Sequence, residues 1–249
     1  MPESLVLLHG FGGTRHAWDG VVAHLDAQRY RPLPLDLPGH GGASGVEGPI
    51  TFDRCVAHVL DASPRTFALG GYSLGGRIAL QVALTVPERV ERLVLVSTTA
   101  GIEDPGERER RRRADERLAD EPDTTPYEQF IERWRSQPLF ADEPAHVREL
   151  ALEDQRRNSP APLARVLRGV GTGEMDSLWA RLGELQMPVD VVAGARDEKY
   201  LVIGRRLAEL IPRARLHVLD GGHALALECP RELAAVLEGE PAPGGAALA

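Results

Sequence analysis

The sequence predicts an α/β fold, a mostly parallel and doubly wound sheet with a helical cap inserted after the fourth predicted strand. Short apolar runs alternate with helical patterns over residues 1–100 and again over 181–239, and this alternation is typical of parallel sheets. Between 101 and 180 the alternation stops, strand-like runs are missing and charged residues are dense. We therefore expect a core in two parts, 1–100 and 181–239, a cap at 101–180, and a disordered tail at 240–249.

The individual elements follow from hydrophobic spacing and turn signals. The expected strands are 4–8, 32–35, 66–69, 92–96, 188–193 and 215–219. The expected core helices are 14–27, capped by Thr14, then 51–62, 76–84, 201–210 and 230–237. The expected cap helices are about 106–120, 126–136, 143–157 and 160–170. A cap in this position lies over the carboxyl ends of the strands, where open α/β sheets bind ligands.

Composition restricts the possible partners. The chain of 249 residues is 43% hydrophobic, enough for a sizeable core, and its formal net charge of −8 disfavours nucleic acid and anionic membranes. It has no apolar run of about 18 residues, so we expect no membrane insertion, and we expect no signal peptide before the first strand. Cys55 and Cys229 are the only cysteines and lie in no metal-binding pattern. We therefore expect a cytoplasmic protein without a disulfide framework or a metal.

The stretch Gly71-Tyr72-Ser73-Leu74-Gly75 has the pattern G-x-S-x-G and lies between a predicted strand and a predicted helix. A nucleophile elbow requires this context, because glycines on both sides permit a sharp turn and a close approach of strand to helix. The Ser73 hydroxyl is then expected above a helix N-terminus, which favours developing negative charge.

Three polar residues follow predicted strands in the order Ser73, Asp197, His223, which is typical of the α/β-hydrolase triad. A serine becomes a useful nucleophile or base when a histidine takes its proton and a carboxylate fixes the imidazole tautomer. Taken singly, His223 could be a turn histidine and Asp197 a solvated loop acid, but three coincident strand-end positions favour the triad. Of the competing acids, Asp36 is expected to hold its own turn, and Asp220 lies too close to His223 in sequence to reach its ring.

The loop that follows the first predicted strand, 9–13, is expected to supply an oxyanion donor. The backbone N–H groups of Phe11 and Leu74 are the candidates. The Phe11 ring could simply pack, and His9 and His40 are expected to be structural turn histidines.

Over its whole length the chain resembles the α/β-hydrolase superfamily. Within it, the chain is similar to the family of synthases that make 2-succinyl-6-hydroxy-2,4-cyclohexadiene-1-carboxylate and release pyruvate in menaquinone biosynthesis. This resemblance is carried by residues 71–80, Trp134-Arg135-Ser136-Gln137-Pro138-Leu139-Phe140, 167–173, 196–200 and 222–228. The final turn reads Gly-His-Ala-Leu, whereas the family often has Gly-His-Asn-Ala or Gly-His-Ala-Ala.

The resemblance implies a lyase that eliminates pyruvate from 2-succinyl-5-enolpyruvyl-6-hydroxy-3-cyclohexene-1-carboxylate without a cofactor. This small anionic substrate carries three carboxylates, so arginines are expected around the serine. Arg77 is four residues after Ser73, on the same face of the predicted helix. In the arginine-rich cap the resemblance points to Arg111, and Arg156 is a second candidate. The other substrate-binding candidates are Tyr72, Trp134, Lys199 and Tyr200.

Several alternatives remain open at this point. Trp134 could stack on the substrate or anchor the cap, and Lys199, the only lysine, could bind a carboxylate or form a plain salt bridge. The same triad could instead hydrolyse esters or C–C bonds, which an apolar pocket and an outward-pointing Arg77 would favour. A non-catalytic ligand-binding module is a third hypothesis. The sequence makes no prediction of the oligomeric state.

Overall fold

The computed structural model describes residues 2–120, 125–240 and 247–248, and within them one sheet of seven strands runs in the order β2-β1-β3-β4-β5-β6-β7. Strands β1 to β6 are parallel, and β7 pairs antiparallel with β6. The strands are β1 Glu3–Leu8, β2 Tyr30–Leu35, β3 Phe67–Tyr72, β4 Val90–Val96, β5 Val189–Gly194, β6 Ala214–Leu219 and β7 Ala247–Leu248. The predicted α/β class and mostly parallel sheet are confirmed.

Helices cover both faces of the sheet because successive side chains of each strand point to opposite sides. Leu5 and Leu7 of β1 are buried in one apolar cluster, and Val6 and Leu8 in another. The core helices are α1 Asp19–Val22, α2 Phe52–Ala62, α3 Leu74–Thr85, α8 Glu198–Leu210, α9 Leu225–Glu228 and α10 Pro230–Leu237. Helices α1, α9 and α10 contribute to the Leu5 cluster, and α2, α3 and α8 to the Val6 cluster.

The cap lies between β4 and β5, as predicted, and is helical. Its helices are α4 Pro105–Asp120, α5 Tyr127–Arg135, α6 Ala145–Gln155 and α7 Pro160–Val170. They pack on one another through small apolar clusters of their own. The cap is joined to the core by buried polar contacts: the Asp154 carboxylate accepts hydrogen bonds from the Thr14 N–H at 2.8 Å and from the Thr14 hydroxyl. The Asn158 amide donates to Gly12 O at 2.7 Å. These contacts fix the cap against the loop that follows β1.

The first helix is shorter than the predicted 14–27. A 3-10 turn at Arg15–Trp18 is followed by a single turn of α1, which ends at Val22. The Thr14 hydroxyl accepts from the His16 N–H at 3.3 Å, the capping role predicted for it. A new turn begins at Asp26, whose carboxylate accepts from the Gln28 N–H at 2.8 Å. Because aspartate side chains form such local bonds in competition with a helix, the chain turns here into β2.

The last strand of the sheet lies within the predicted tail. Ala247–Leu248 form β7 and pair with Leu216 and His217 of β6, where disorder was predicted over 240–249. Without them, β6 would leave its outer backbone groups unpaired at the sheet edge. Residues 241–246 and 249 of that prediction lie outside the described residues. Among the helices described, none combines the length and apolar character that a membrane span requires.

Candidate active site

Ser73 lies in a strained turn between β3 and α3. Its φ of 52° and ψ of −106° are unfavourable for a residue with a side chain, and such strain is common at functional sites. Glycines are needed on both sides: a Cβ on Gly71 would lie 2.4 Å from Gly75 O, and a Cβ on Gly75 would lie 2.2 Å from Leu8 O. The Ser73 N–H donates to Val96 O at 2.9 Å, which ties the turn to β4.

The structure brings Ser73, His223 and Asp197 together at the carboxyl ends of β3, β6 and β5. His223 Nε2 is 3.3 Å from Ser73 Oγ, and His223 Nδ1 is 2.7 Å from Asp197 Oδ2. The Asp197 carboxylate also accepts from the Tyr200 N–H at 3.2 Å. With a proton on Nδ1 held by Asp197, Nε2 has its lone pair directed at the serine. The arrangement can therefore withdraw the serine proton.

The imidazole is enclosed by aromatic rings. The ring centroids of Tyr72, Phe140 and Tyr200 lie 5.3, 5.8 and 4.7 Å from that of His223. Burial lowers the pKa of His223 below its usual 6.5, because a charged imidazolium would lose its hydration, while the hydrogen bond to Asp197 acts in the opposite direction. His223 is therefore neutral at neutral pH and able to accept a proton.

The two predicted oxyanion donors belong to the segments on either side of Ser73. Leu74 is the first residue of α3, and Phe11 lies in the loop after β1. In the part of the chain that the structure describes, neither backbone N–H donates to another protein group. The loop is held from behind by a buried histidine, because His40 Nε2 accepts from the Gly12 N–H at 3.2 Å. His40 thus has the structural role expected of it.

A cavity of about 590 Å³ opens above Ser73 between the core and the cap. The predicted residues Phe11, Leu74, Arg77, Arg111, Trp134, Asp197, Lys199 and Tyr200 line it with Ser73. Arg196 adds a further cation, and Asp142 and Glu198 lie at the same cavity. The cavity walls are thus rich in groups that can bind carboxylates.

Arg77 is the buried cation of this cavity. Only 7% of the residue is exposed, and Nη1 donates to Val170 O at 2.8 Å. Burial lowers the pKa of Arg77 to about 10, so the guanidinium remains charged at neutral pH. The hydrogen bond to α7 fixes the guanidinium against the cap, and the residue lines the cavity rather than pointing outward.

The cap supplies Arg111 and Trp134. Arg111 Nε donates to the buried Asp115 carboxylate at 2.8 Å, which fixes its side chain at the cavity. Trp134 packs on Phe11 with ring centroids 4.6 Å apart, which is the contact expected if it anchors the cap. It also lines the cavity, as it must if it stacks on the substrate. Lys199 is exposed at the cavity, with Nζ 5.5 Å from the Tyr200 ring centroid.

Three other residues considered for the site are not among those that line the cavity. Arg156 directly follows α6 and is exposed, apart from the cavity. Asp36 accepts from the Arg15 and Gly42 N–H groups at 2.7 and 2.9 Å, and so holds its own turn. Asp220 has a 99% exposed side chain that pairs with Arg196.

A narrow recess of about 60 Å³ continues from Ser73 and His223 beneath Tyr72, Phe140 and Arg135. Arg135 is buried, its guanidinium lies 3.9 Å from the Phe140 ring centroid, and it pairs with Glu143. Arg135 was not predicted to have a role. The available signal was its spacing, four residues after Ile131 on the buried face of α5.

Within the described ranges, no group of three or more His, Cys, Asp or Glu side chains could hold a metal ion.

Residues 5–236 match the model of the alpha/beta hydrolase family. The chain belongs to this family. Among its relatives, the 2-succinyl-6-hydroxy-2,4-cyclohexadiene-1-carboxylate synthase of Klebsiella pneumoniae is 32% identical, over 94% of this chain and 91% of the relative. A Bacillus subtilis protein that bears the same name provisionally is 34% identical, over 92% and 86%.

Solved structures agree with this assignment. The structure of MenH from S. aureus matches this α/β hydrolase with a TM-score of 0.88 and 31% identity, over 95% of this chain and 92% of the other. The resemblance predicted from the sequence is confirmed.

Proposed function

We propose that this α/β hydrolase eliminates pyruvate from 2-succinyl-5-enolpyruvyl-6-hydroxy-3-cyclohexene-1-carboxylate to give 2-succinyl-6-hydroxy-2,4-cyclohexadiene-1-carboxylate. The observation that carries the proposal is that Ser73, which contacts the His223–Asp197 pair, and the buried Arg77 line the same cavity. A buried cation gives no advantage toward a neutral ester, whereas a substrate with three carboxylates needs such partners. The names of the relatives support the same reaction.

The relay acts here as a base. His223, held by Asp197, takes the Ser73 proton, and the serine oxygen removes the ring proton next to the succinyl ketone. The Phe11 and Leu74 N–H groups, which donate to no other group in the described part of the chain, can bind the enolate oxygen that develops. No acyl-enzyme forms, since the serine oxygen bonds to a proton and not to a carbonyl carbon.

Electrons then move through the ring alkene. The enolate re-forms its ketone, the ring double bond shifts, and the bond from ring carbon to enolpyruvyl oxygen breaks. The departing enolpyruvate takes up a proton at carbon and becomes pyruvate, so the proton removed from the ring is balanced by the one gained. Arg77 and Arg111 bind the substrate carboxylates during these steps, and Tyr72, Tyr200 and Trp134 enclose the ring. The reaction needs no cofactor, and localisation in a reducing cytoplasm stays a prediction.

The test is the release of pyruvate from the purified intermediate, measured with a coupled dehydrogenase. We expect rapid pyruvate release by the wild type and only traces of hydrolysis of a p-nitrophenyl acyl ester. Rapid ester hydrolysis without pyruvate release would instead support the hydrolase alternative, for which the same relay would form an acyl-enzyme. Failure of a serine-reactive phosphonate to label Ser73 would support the non-catalytic alternative.

A further inference from the structure

Glu228, the last residue of α9, is a buried carboxylate beside the loop that carries His223. Its side chain is 4% exposed. Its Oε2 accepts from the Gly222 N–H at 2.8 Å, and its Oε1 accepts from the Ala224 N–H at 3.2 Å. These two amides flank His223 in sequence, so one carboxylate holds the backbone on both sides of the histidine.

The same carboxylate reaches the loop that carries Asp197. Oε2 of Glu228 accepts from Arg196 Nη2 at 2.6 Å, and Arg196 directly precedes Asp197. The Arg196 N–H in turn donates to Gly221 O at 3.0 Å. Glu228 therefore joins the loops after β5 and β6, the two loops from which the acid and the base of the relay project.

We propose that Glu228 is a positioning residue for the His223–Asp197 pair. The inference rests on the proposed triad and adds to it. The carboxylate fixes the path of the histidine loop through the two flanking amides, while Arg196 neutralises its buried charge. The Glu228 carboxylate lies close against the histidine loop, because a Cβ on Gly222 would lie 3.0 Å from Glu228 Oε1.

Positioning matters here because His223 Nε2 and Ser73 Oγ are separated by 3.3 Å, near the upper limit of a hydrogen bond. A displacement of the imidazole by about 1 Å would break proton transfer, and errors of that size cost on the order of 100-fold in rate. Removing Glu228 frees the loop and also leaves two backbone N–H groups without their acceptor.

The experiment compares Glu228→Ala, Glu228→Gln and the control Asp220→Ala. Asp220 pairs with the same Arg196 but is exposed and does not hold the histidine loop. For each protein, the rate of Ser73 labelling by a fluorophosphonate, kcat and KM for pyruvate release, and the melting temperature are measured, with all rates taken well below melting.

We expect Glu228→Ala to lower the labelling rate and kcat by about 10- to 100-fold with little change in KM. Glu228→Gln keeps one oxygen acceptor and should lose less, whereas Asp220→Ala should stay within about twofold of the wild type. Wild-type labelling and kcat in a folded Glu228→Ala protein would overturn the inference. Should that variant not fold, wild-type rates in Glu228→Gln would overturn it equally.

The experiment distinguishes a failure of the positioning role of Glu228 from a failure of the proposed reaction. A wild type that is labelled at Ser73 but releases no pyruvate contradicts the proposed reaction, and the labelling rates still decide the role of Glu228. A wild type that releases pyruvate together with a Glu228→Ala variant of equal rate contradicts the positioning role alone.

Discussion

Two buried aspartate–histidine pairs lie in the β5–β6 region of the molecule. His223 Nδ1 is 2.7 Å from Asp197 Oδ2, and His217 Nε2 is 2.8 Å from Asp190 Oδ1. All four residues are buried. By distance and burial alone the two pairs would be judged equivalent.

Their positions in the sheet separate them. Asp197 and His223 follow the carboxyl ends of β5 and β6, where the histidine faces Ser73 and lines the recess beside it. Asp190 and His217 lie within those strands, and the other partner of Asp190 is Arg215, whose Nε donates to it at 3.1 Å. An aspartate can orient an imidazole anywhere in a protein. Reactivity requires in addition that the other ring nitrogen face a group that can exchange a proton beside a bound substrate.

The strongest way to test this comparison is to replace each histidine by glutamine. Glutamine keeps an N–H that can donate to the aspartate but cannot take up a proton. We expect His223→Gln to lower kcat/KM for pyruvate release by about 10⁴- to 10⁶-fold, because triad members act as a unit. His217→Gln should retain wild-type kcat/KM, measured in the same assay.

Ser73→Ala extends this test. It should lose as much activity as His223→Gln, and the double variant should be little worse than either single one. Losses that multiply would show that the serine and the histidine do not cooperate. A comparable loss in a folded His217→Gln protein would contradict the distinction between the two pairs.

The second test replaces the two aspartates by asparagine. Asp197→Asn should lower kcat by about 10⁴-fold, since an asparagine amide favours the wrong imidazole tautomer. Asp190→Asn should keep its activity and lower the free energy of unfolding by about 1–3 kcal/mol, because buried contacts with Arg215 and His217 are weakened. Urea denaturation and steady-state kinetics measure the two effects. Asp36→Asn is a further control, also expected to affect stability only. An inactive but folded Asp36→Asn or Asp190→Asn would overturn the acid assignment.

The sequence anticipated the first pair and not the second, for a physical reason. Asp197 and His223 occur in turns rich in glycine and polar residues, where a motif is visible. Asp190 and His217 are isolated polar residues inside mostly apolar strands, and only the register of β5 against β6 makes them neighbours. The signal available was Asp190 in one strand and Arg215 and His217 in another that a parallel sheet would pair with it.

The cap shows the same limit on prediction from sequence. Helix positions follow from spacing and were close to the observed bounds, but the side chains that reach the cavity depend on how the helices pack. Arg111 reaches it, whereas Arg156 projects into solvent. No role was predicted for Arg135 or Glu228. Arg135 lines the recess beside Ser73 and His223, which are far from it in sequence. Glu228 ends α9, a helix of four residues that is too short to give a periodic pattern.

The third test moves from the relay to the cationic wall of the cavity. Arg77→Ala should cost about 2–5 kcal/mol of transition-state stabilisation toward the tricarboxylate substrate, roughly 30- to several-thousand-fold in kcat/KM. Any trace hydrolysis of a neutral p-nitrophenyl ester should change little, since that substrate does not use the guanidinium. Arg77→Lys should recover part of the loss because it keeps the positive charge. The recovery should be incomplete because an ammonium cannot form the bidentate contact. Equal and mild losses on both substrates would contradict the anion-binding role.

The smallest expected effect is a shift in the pKa of His223 when a nearby positive charge is removed. Burial lowers the pKa of His223, and the positive charges of Arg135 and Lys199 lower it further. The proposed base must be neutral to act. In a plot of kcat/KM against pH, the fall on the acid side, the acid limb, should therefore have an apparent pKa below 6.5. Removing the Lys199 charge stabilises the imidazolium, so Lys199→Met should move this limb to higher pH. The shift should be less than about one pH unit, since Lys199 is exposed, and it should shrink as salt is added.

Arg215→Met is the matched control, because Arg215 is the cation beside the other pair. It should leave the acid limb where it is at every salt concentration. The pH dependence of kcat/KM for the wild type and both variants, recorded at low and high salt, measures the difference. A limb that moves equally in the two variants would indicate that overall charge, and not the cation at the cavity, sets the pKa of His223. A wild-type limb at or above 6.5 would contradict the effect of burial itself.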